Sequence, residues 1–88
     1  MRPRLGEALS DLGSVLADKG EFAEAGDLLR RAMDLRVKHS GEGSADHAEC
    51  LRDLAALYRS EGKLDLAEEL ARHAVEIVER VLRPEEPT

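Results

Sequence analysis

The sequence predicts an all-α fold, with two tandem helix-turn-helix repeats forming a short right-handed α-solenoid of four helices. The first observation is an echo at an offset of 42 residues. Glu7, Leu9, Asp11, Leu12, Gly20, Ala25, Leu28, Arg30 and Ala32 recur as Glu49, Leu51, Asp53, Leu54, Gly62, Ala67, Leu70, Arg72 and Ala74. A period of this size marks stacked supersecondary units. The second is composition: apolar residues make up 42% and charged ones 36%, with Phe22 and Tyr58 the two aromatic residues. That mixture, rich in Ala, Leu and Glu, favours helix over sheet. The third is the placement of Gly20 and Gly62 at matching points of the echo, where a helix must stop and the chain reverse.

Each element follows in order. From Leu5 to Asp18 the apolar residues Leu5, Ala8, Leu9, Leu12, Val15 and Leu16 return at spacings of three and four, the helical period. Gly20 then accepts a positive φ without steric cost. The second helix runs from Phe22 or Ala23 to Lys38 and buries Ala25, Leu28, Leu29, Ala32, Met33 and Leu35, with Asp27–Arg31 and Asp34–Lys38 as surface pairs four apart. His39 to Ala45 has two glycines and almost nothing apolar, and reads as the inter-repeat loop. Asp46 is expected to cap the third helix, with Glu49 completing a capping-box arrangement. That helix carries Cys50, Leu51, Leu54, Leu57 and Tyr58 to Ser60. The fourth runs from Leu64 or Asp65 to Leu82, where Pro84 and Pro87 forbid continuation. The organisation is therefore repeat 1 over 5–38, a loop over 39–45 and repeat 2 over 46–82, with frayed ends at 1–4 and 83–88.

At these positions the chain resembles a known family. Leu9, Leu12, Gly13, Leu16, Gly20, Phe22, Ala25, Leu29 and Ala32 look like one tetratricopeptide repeat, and Leu51, Leu54, Ala55, Tyr58, Gly62, Leu64, Ala67, Ala71 and Ala74 look like a second. The spacing of 42 resembles the long form found in kinesin light chains and in many bacterial repeat proteins. The departures mostly keep size class. Ala71 is the exception, a small residue in place of the family's large aromatic, which neighbours are expected to compensate. All these apolar positions read as core.

The resemblance implies a non-catalytic protein-protein interaction module, with a peptide or helix held on the concave surface lined by the first helix of each repeat. Candidate contacts are Glu7, Ser10, Asp11 and Ser14 from repeat 1, and Glu49, Arg52, Asp53, Ala56 and Arg59 from repeat 2. One group of such domains clamps a C-terminal carboxylate with Lys and Asn. Here the equivalent residues are Ser10, Ser14, Arg52 and Ala56, so that clamp is mostly missing. The remaining groove is acidic on the first helix and carries two arginines on the third, which suits a segment bearing both signs.

Chemistry of other kinds finds little support. A formal charge of -6 opposes nucleic acid and anionic membrane as partners. His39, His47 and His73 lack the spacing of a metal set, no glycine-rich phosphate loop is present, and Cys50 reads as a small buried hydrophobe, so neither enzyme nor cofactor is expected. The interleaving of Arg30, Arg31 and Arg36 with Glu24, Asp27 and Asp34 argues against a basic stripe. One cysteine and no membrane-length apolar run point to a cytoplasmic setting.

The fourth helix has more apolar surface than one neighbour can cover. Leu70, Ala74, Ile77 and Val81 form the stripe aimed at the third helix, while Val75, Val78 and Leu82 form a second stripe that needs a cover. The cover is expected to be a second copy, a neighbouring repeat or a partner helix. Structural self-assembly through helix four or repeat stacking is thus the alternative function, with a symmetric dimer as its simplest form.

Overall fold

The computed structural model describes residues 4–83. Among them are four helices and no strand: α1 Leu5–Asp18, α2 Phe22–Ser40, α3 Ala45–Ser60 and α4 Leu64–Leu82. α1 packs on α2 and α3 on α4 as hairpins, while α3 also lies against α2 and α1, giving a slab of 50 × 37 × 15 Å. The expected all-α repeat architecture is the one observed.

The two hairpin turns are built identically because the same residue solves the same problem. Gly20 at φ 86° and Gly62 at φ 81° take the left-handed conformation that ends each first helix. In the first turn Gly20 N–H donates to Ala17 O at 3.0 Å and Glu21 N–H to Leu16 O at 2.9 Å. In the second, Gly62 N–H donates to Arg59 O at 3.0 Å and Lys63 N–H to Tyr58 O at 2.8 Å. These paired bonds satisfy the last carbonyls of the helix.

The core is one seam with two centres. Ala25, Leu29, Leu54 and Leu57 join α2 to α3, with Leu16, Ala17, Phe22 and Tyr58 packed against them. Ala48, Leu51, Ala74 and Ile77 join α3 to α4, and Met33 and Leu70 touch both centres. Small residues set the helix spacing, as the sequence requires: a Cβ on Gly13 would lie 2.9 Å from Leu29 side-chain atoms.

Several expectations are corrected. His39 and Ser40 continue α2 and Ala45 opens α3, so the linker shortens to 41–44. Ser44, not Asp46, caps α3, its hydroxyl accepting from His47 N–H at 3.1 Å. Asp46 and Glu49 instead turn toward Arg36. The surface pairs Asp27–Arg31 and Asp34–Lys38 do not form; Asp27 meets Arg30 at 3.8 Å. On α4, Glu68 and Arg72 pair at 2.7 Å. His73 faces the His47 ring edge-on at 5.5 Å. Leu5, Leu12, Val15, Leu35, Leu64, Ala71 and Val81, all read as inward, are exposed. Periodicity locates an apolar stripe but not which part of it a neighbour reaches. Apart from Arg4 and Arg83, the ends expected to fray lie outside the described residues.

The largest surprise is Arg36. It is 7% exposed, and Gly6 makes room for it: a Cβ there would lie 2.6 Å from Arg36 Cγ. The equivalent pair in repeat 2 is Ala48 and Val78, where a shorter side chain accompanies the added methyl group. Gly6→Ala should therefore lower stability by about 1–2 kcal/mol despite alanine's better helix propensity, because the clash outweighs that gain. A urea midpoint equal to or above wild type would contradict this packing.

Candidate functional site

The repeat-2 surface residues come together in one place. α3 and α4 together line an open groove of about 830 Å³, to which no residue of repeat 1 contributes. Its floor is small and apolar, made by Ala55, Ala56, Ala71 and Ala74. The α3 rim carries Glu49, Arg52, Asp53 and Arg59, and the α4 rim carries Val75, Val78 and Glu79. The concave-face candidates of repeat 2 and two of the three helix-four candidates thus line a single groove rather than two competing surfaces.

The remaining candidates are elsewhere. Glu7, Asp11 and Ser14 are exposed on α1 and do not line the groove, and neither does Leu82, which is exposed at the end of α4. Ser10 is buried, its hydroxyl accepting from Arg36 Nη1 at 3.0 Å. It is therefore a structural partner of a buried guanidinium, not a surface for a ligand. Ala71 needs no compensating neighbour, because its small side chain is the groove floor.

Electrostatics divide the site into an engaged half and a free half. Arg36 Nε donates to Asp46 Oδ1 at 3.0 Å and Nη2 bonds to the same oxygen, while Nη2 also reaches Glu49 Oε1 at 3.2 Å. Ser40 Oγ donates to Asp46 Oδ2 at 2.9 Å. The Arg36 hydrogen bond holds the Asp46 carboxyl below the usual carboxylate range, against the opposing effect of burial. This network ties α1, α2 and α3 together at the repeat junction. Arg52 and Arg59 are exposed and make no ion pair among the described residues. Their charges are available to something else.

Asp53 and Cys50 are governed by burial. Desolvation pushes the half-buried Asp53 carboxyl up, with Arg36 opposing and Glu49 adding to the rise. Desolvation likewise pushes the Cys50 thiol up, and the side chain is buried, so it is no ready nucleophile. A raised folded-state value means that Asp53 in its charged form costs stability at neutral pH, a cost relieved as pH falls through that value. Asp53→Asn should then raise the urea midpoint at pH 7, with the advantage fading as pH drops toward the unfolded carboxylate value of about 3.9. A lower midpoint at pH 7 would show the carboxylate to be favourably paired.

Among the described residues no group of three or more His, Cys, Asp or Glu is placed to hold a metal, and no helix is long and apolar enough to cross a membrane. The sequence reading missed two features here, the Arg36 network and the α3–α4 groove. A signal for the first exists in the echo itself, where Gly6 with Arg36 is replaced by Ala48 with Val78.

Known proteins supply one comparison that bears on this arrangement. Neither a curated protein nor a solved structure matches the chain. The family model described as tetratricopeptide repeat matches residues 4–80, a span that takes in both hairpins, both glycine turns and the groove. Tetratricopeptide repeats generally mediate protein-protein interaction. With the fold and the family model in agreement over nearly the whole chain, the protein belongs to the tetratricopeptide repeat family.

Proposed function

We propose that this chain is a non-catalytic protein-interaction module of the cytoplasm that receives a helix or short segment of a protein partner between α3 and α4. The observation that carries this reading is the composition of that groove: an alanine floor, two valines on one rim and two unengaged arginines on the other. The floor is shallow in side chains, so a partner's own large apolar residues would fill it. The rim charges would fix register and exclude partners of the wrong sign. Helix-in-groove recognition uses this combination of an apolar seat and polar edges.

The test is direct. A photo-crosslinking residue at Ala71 should trap the partner in the groove. Arg52→Glu with Arg59→Glu should weaken that purified partner's binding about tenfold or more, while circular dichroism and melting stay near wild type, since exposed charges contribute little to folding. Unchanged affinity with an intact fold would remove the groove from this role. A second reading, self-assembly, is favoured by the exposure of Val75, Val78, Val81 and Leu82 on α4.

A further inference from the structure

The groove has a counterpart in the same molecule that is already filled. Ala71, Val75 and Val78 stand 42 residues after Leu29, Met33 and Arg36. Those three lie under α3: Leu29 packs with Leu54 and Leu57, Met33 packs against both core centres, and Arg36 bonds to Asp46. The helix seated there presents Cys50, Leu54 and Leu57, all buried. Their equivalents on α1 are Ala8, Leu12 and Val15. Ala8 is exposed, and Leu12 and Val15 are 49% and 53% exposed. One end of the molecule therefore carries an empty seat, and the other an uncovered copy of the helix that fits such a seat.

Resting on the groove reading above, we infer that the occupant is a second copy of this chain. α1 of one molecule docks between α3 and α4 of the next, as α3 docks on α1 and α2 within each molecule, so that copies stack head to tail. A single contact of this kind covers both uncovered apolar faces at once. A foreign helix in the groove would leave Leu12 and Val15 in water, and a two-fold contact through α4 alone would do the same. The charges agree with the stacked register. Inside the chain, Asp46 on the seated helix meets Arg36 in the seat. Between copies, the seated helix offers Arg4, which pairs with Glu7 at 3.1 Å within its own chain, at the Asp46 position, and the seat offers Glu79 beside Val78 at the Arg36 position, an acid to meet it with the signs exchanged. The lower floor at Ala71, where repeat 1 has Leu29, leaves space for Leu12 to descend. Because the donating and receiving surfaces differ, the contact is heterologous and does not close at two copies.

Sedimentation velocity on the full 88-residue chain, from about 10 to about 500 μM, reads this out. The average mass should rise with concentration and pass the dimer. Leu12→Glu disables the inserted helix and Val75→Glu disables the seat, so each variant alone should be monomeric. Mixed, the two should recover one working pair and form a dimer without larger species, because each retains the surface that the other lacks. Both positions are exposed, so the fold should survive, as circular dichroism would check. If Val75→Glu unfolds, Val78→Arg serves for the seat, because it sets a like charge against Arg4. Association untouched by Leu12→Glu, or no recovery in the mixture, would overturn head-to-tail stacking in favour of a contact through α4. A wild type monomeric throughout would overturn it too; if its groove then bound a synthetic peptide of residues 45–60, the seat would belong to another protein or a further repeat, and the groove function would stand.

Discussion

Leu57→Ala is expected to lower the unfolding free energy by about 3–4 kcal/mol, whereas Val15→Ala at the matching position of repeat 1 should cost less than about 1 kcal/mol. Leu57 is fully buried where α3 crosses α2, its Cδ2 set 3.4 Å from where a Cβ on Gly26 would stand. Removing it opens a cavity walled by Ala25, Leu29 and Leu54, none of which is long enough to refill it. A domain of this size has a total stability of only about 4–12 kcal/mol, so the loss would be a large share. Urea unfolding with an unchanged slope would measure both variants at dilute concentration, where copies are apart. Similar costs at the two positions would mean that the two repeats are covered alike.

The second large effect is at Arg36. Arg36→Ala should destabilise the fold by about 2–4 kcal/mol, since it takes the guanidinium bonds from the partly exposed Asp46 and from the buried Ser10, and empties the space beside Gly6. The pH dependence gives a second readout. The depressed carboxyl of Asp46 contributes stability that is present above the unfolded carboxylate value and is lost as pH falls through the folded one. The deficit of Arg36→Ala should then be largest near pH 7 and narrow in acid. The triple variant Gly6→Ala, Arg36→Val, Asp46→Asn carries over the Ala48 and Val78 pair of repeat 2, removes the unpaired carboxylate and should recover part of the loss. If Arg36→Ala leaves the urea midpoint in place, the guanidinium network is not what joins the repeats.

The helices were legible because their signals are local. Gly20 and Gly62 stop a helix through their own backbone freedom, and the apolar spacing from Leu5 to Leu16 reports a helix regardless of what surrounds it. The polar composition at His39 and Ser40 resembles a linker, yet both belong to α2, because a helix continues as long as its backbone bonds are met. Ser44 and Asp46 are both good caps by type, and the choice between them turned on Arg36, ten residues earlier, drawing Asp46 away.

By itself, the sequence determined two repeats, four helices, their turns and the small residues at their crossings, because each depends on neighbours three, four or forty-two positions away in a regular pattern. The tertiary structure alone decided the asymmetry between the repeats. Leu54 and Leu57 are covered, while Leu12 and Val15 at matching positions are not, because burial is a property of what lies opposite. The same cause hid the site: Arg52, Arg59, Ala71 and Val78 become one groove only when α3 and α4 are placed side by side with no helix seated between them.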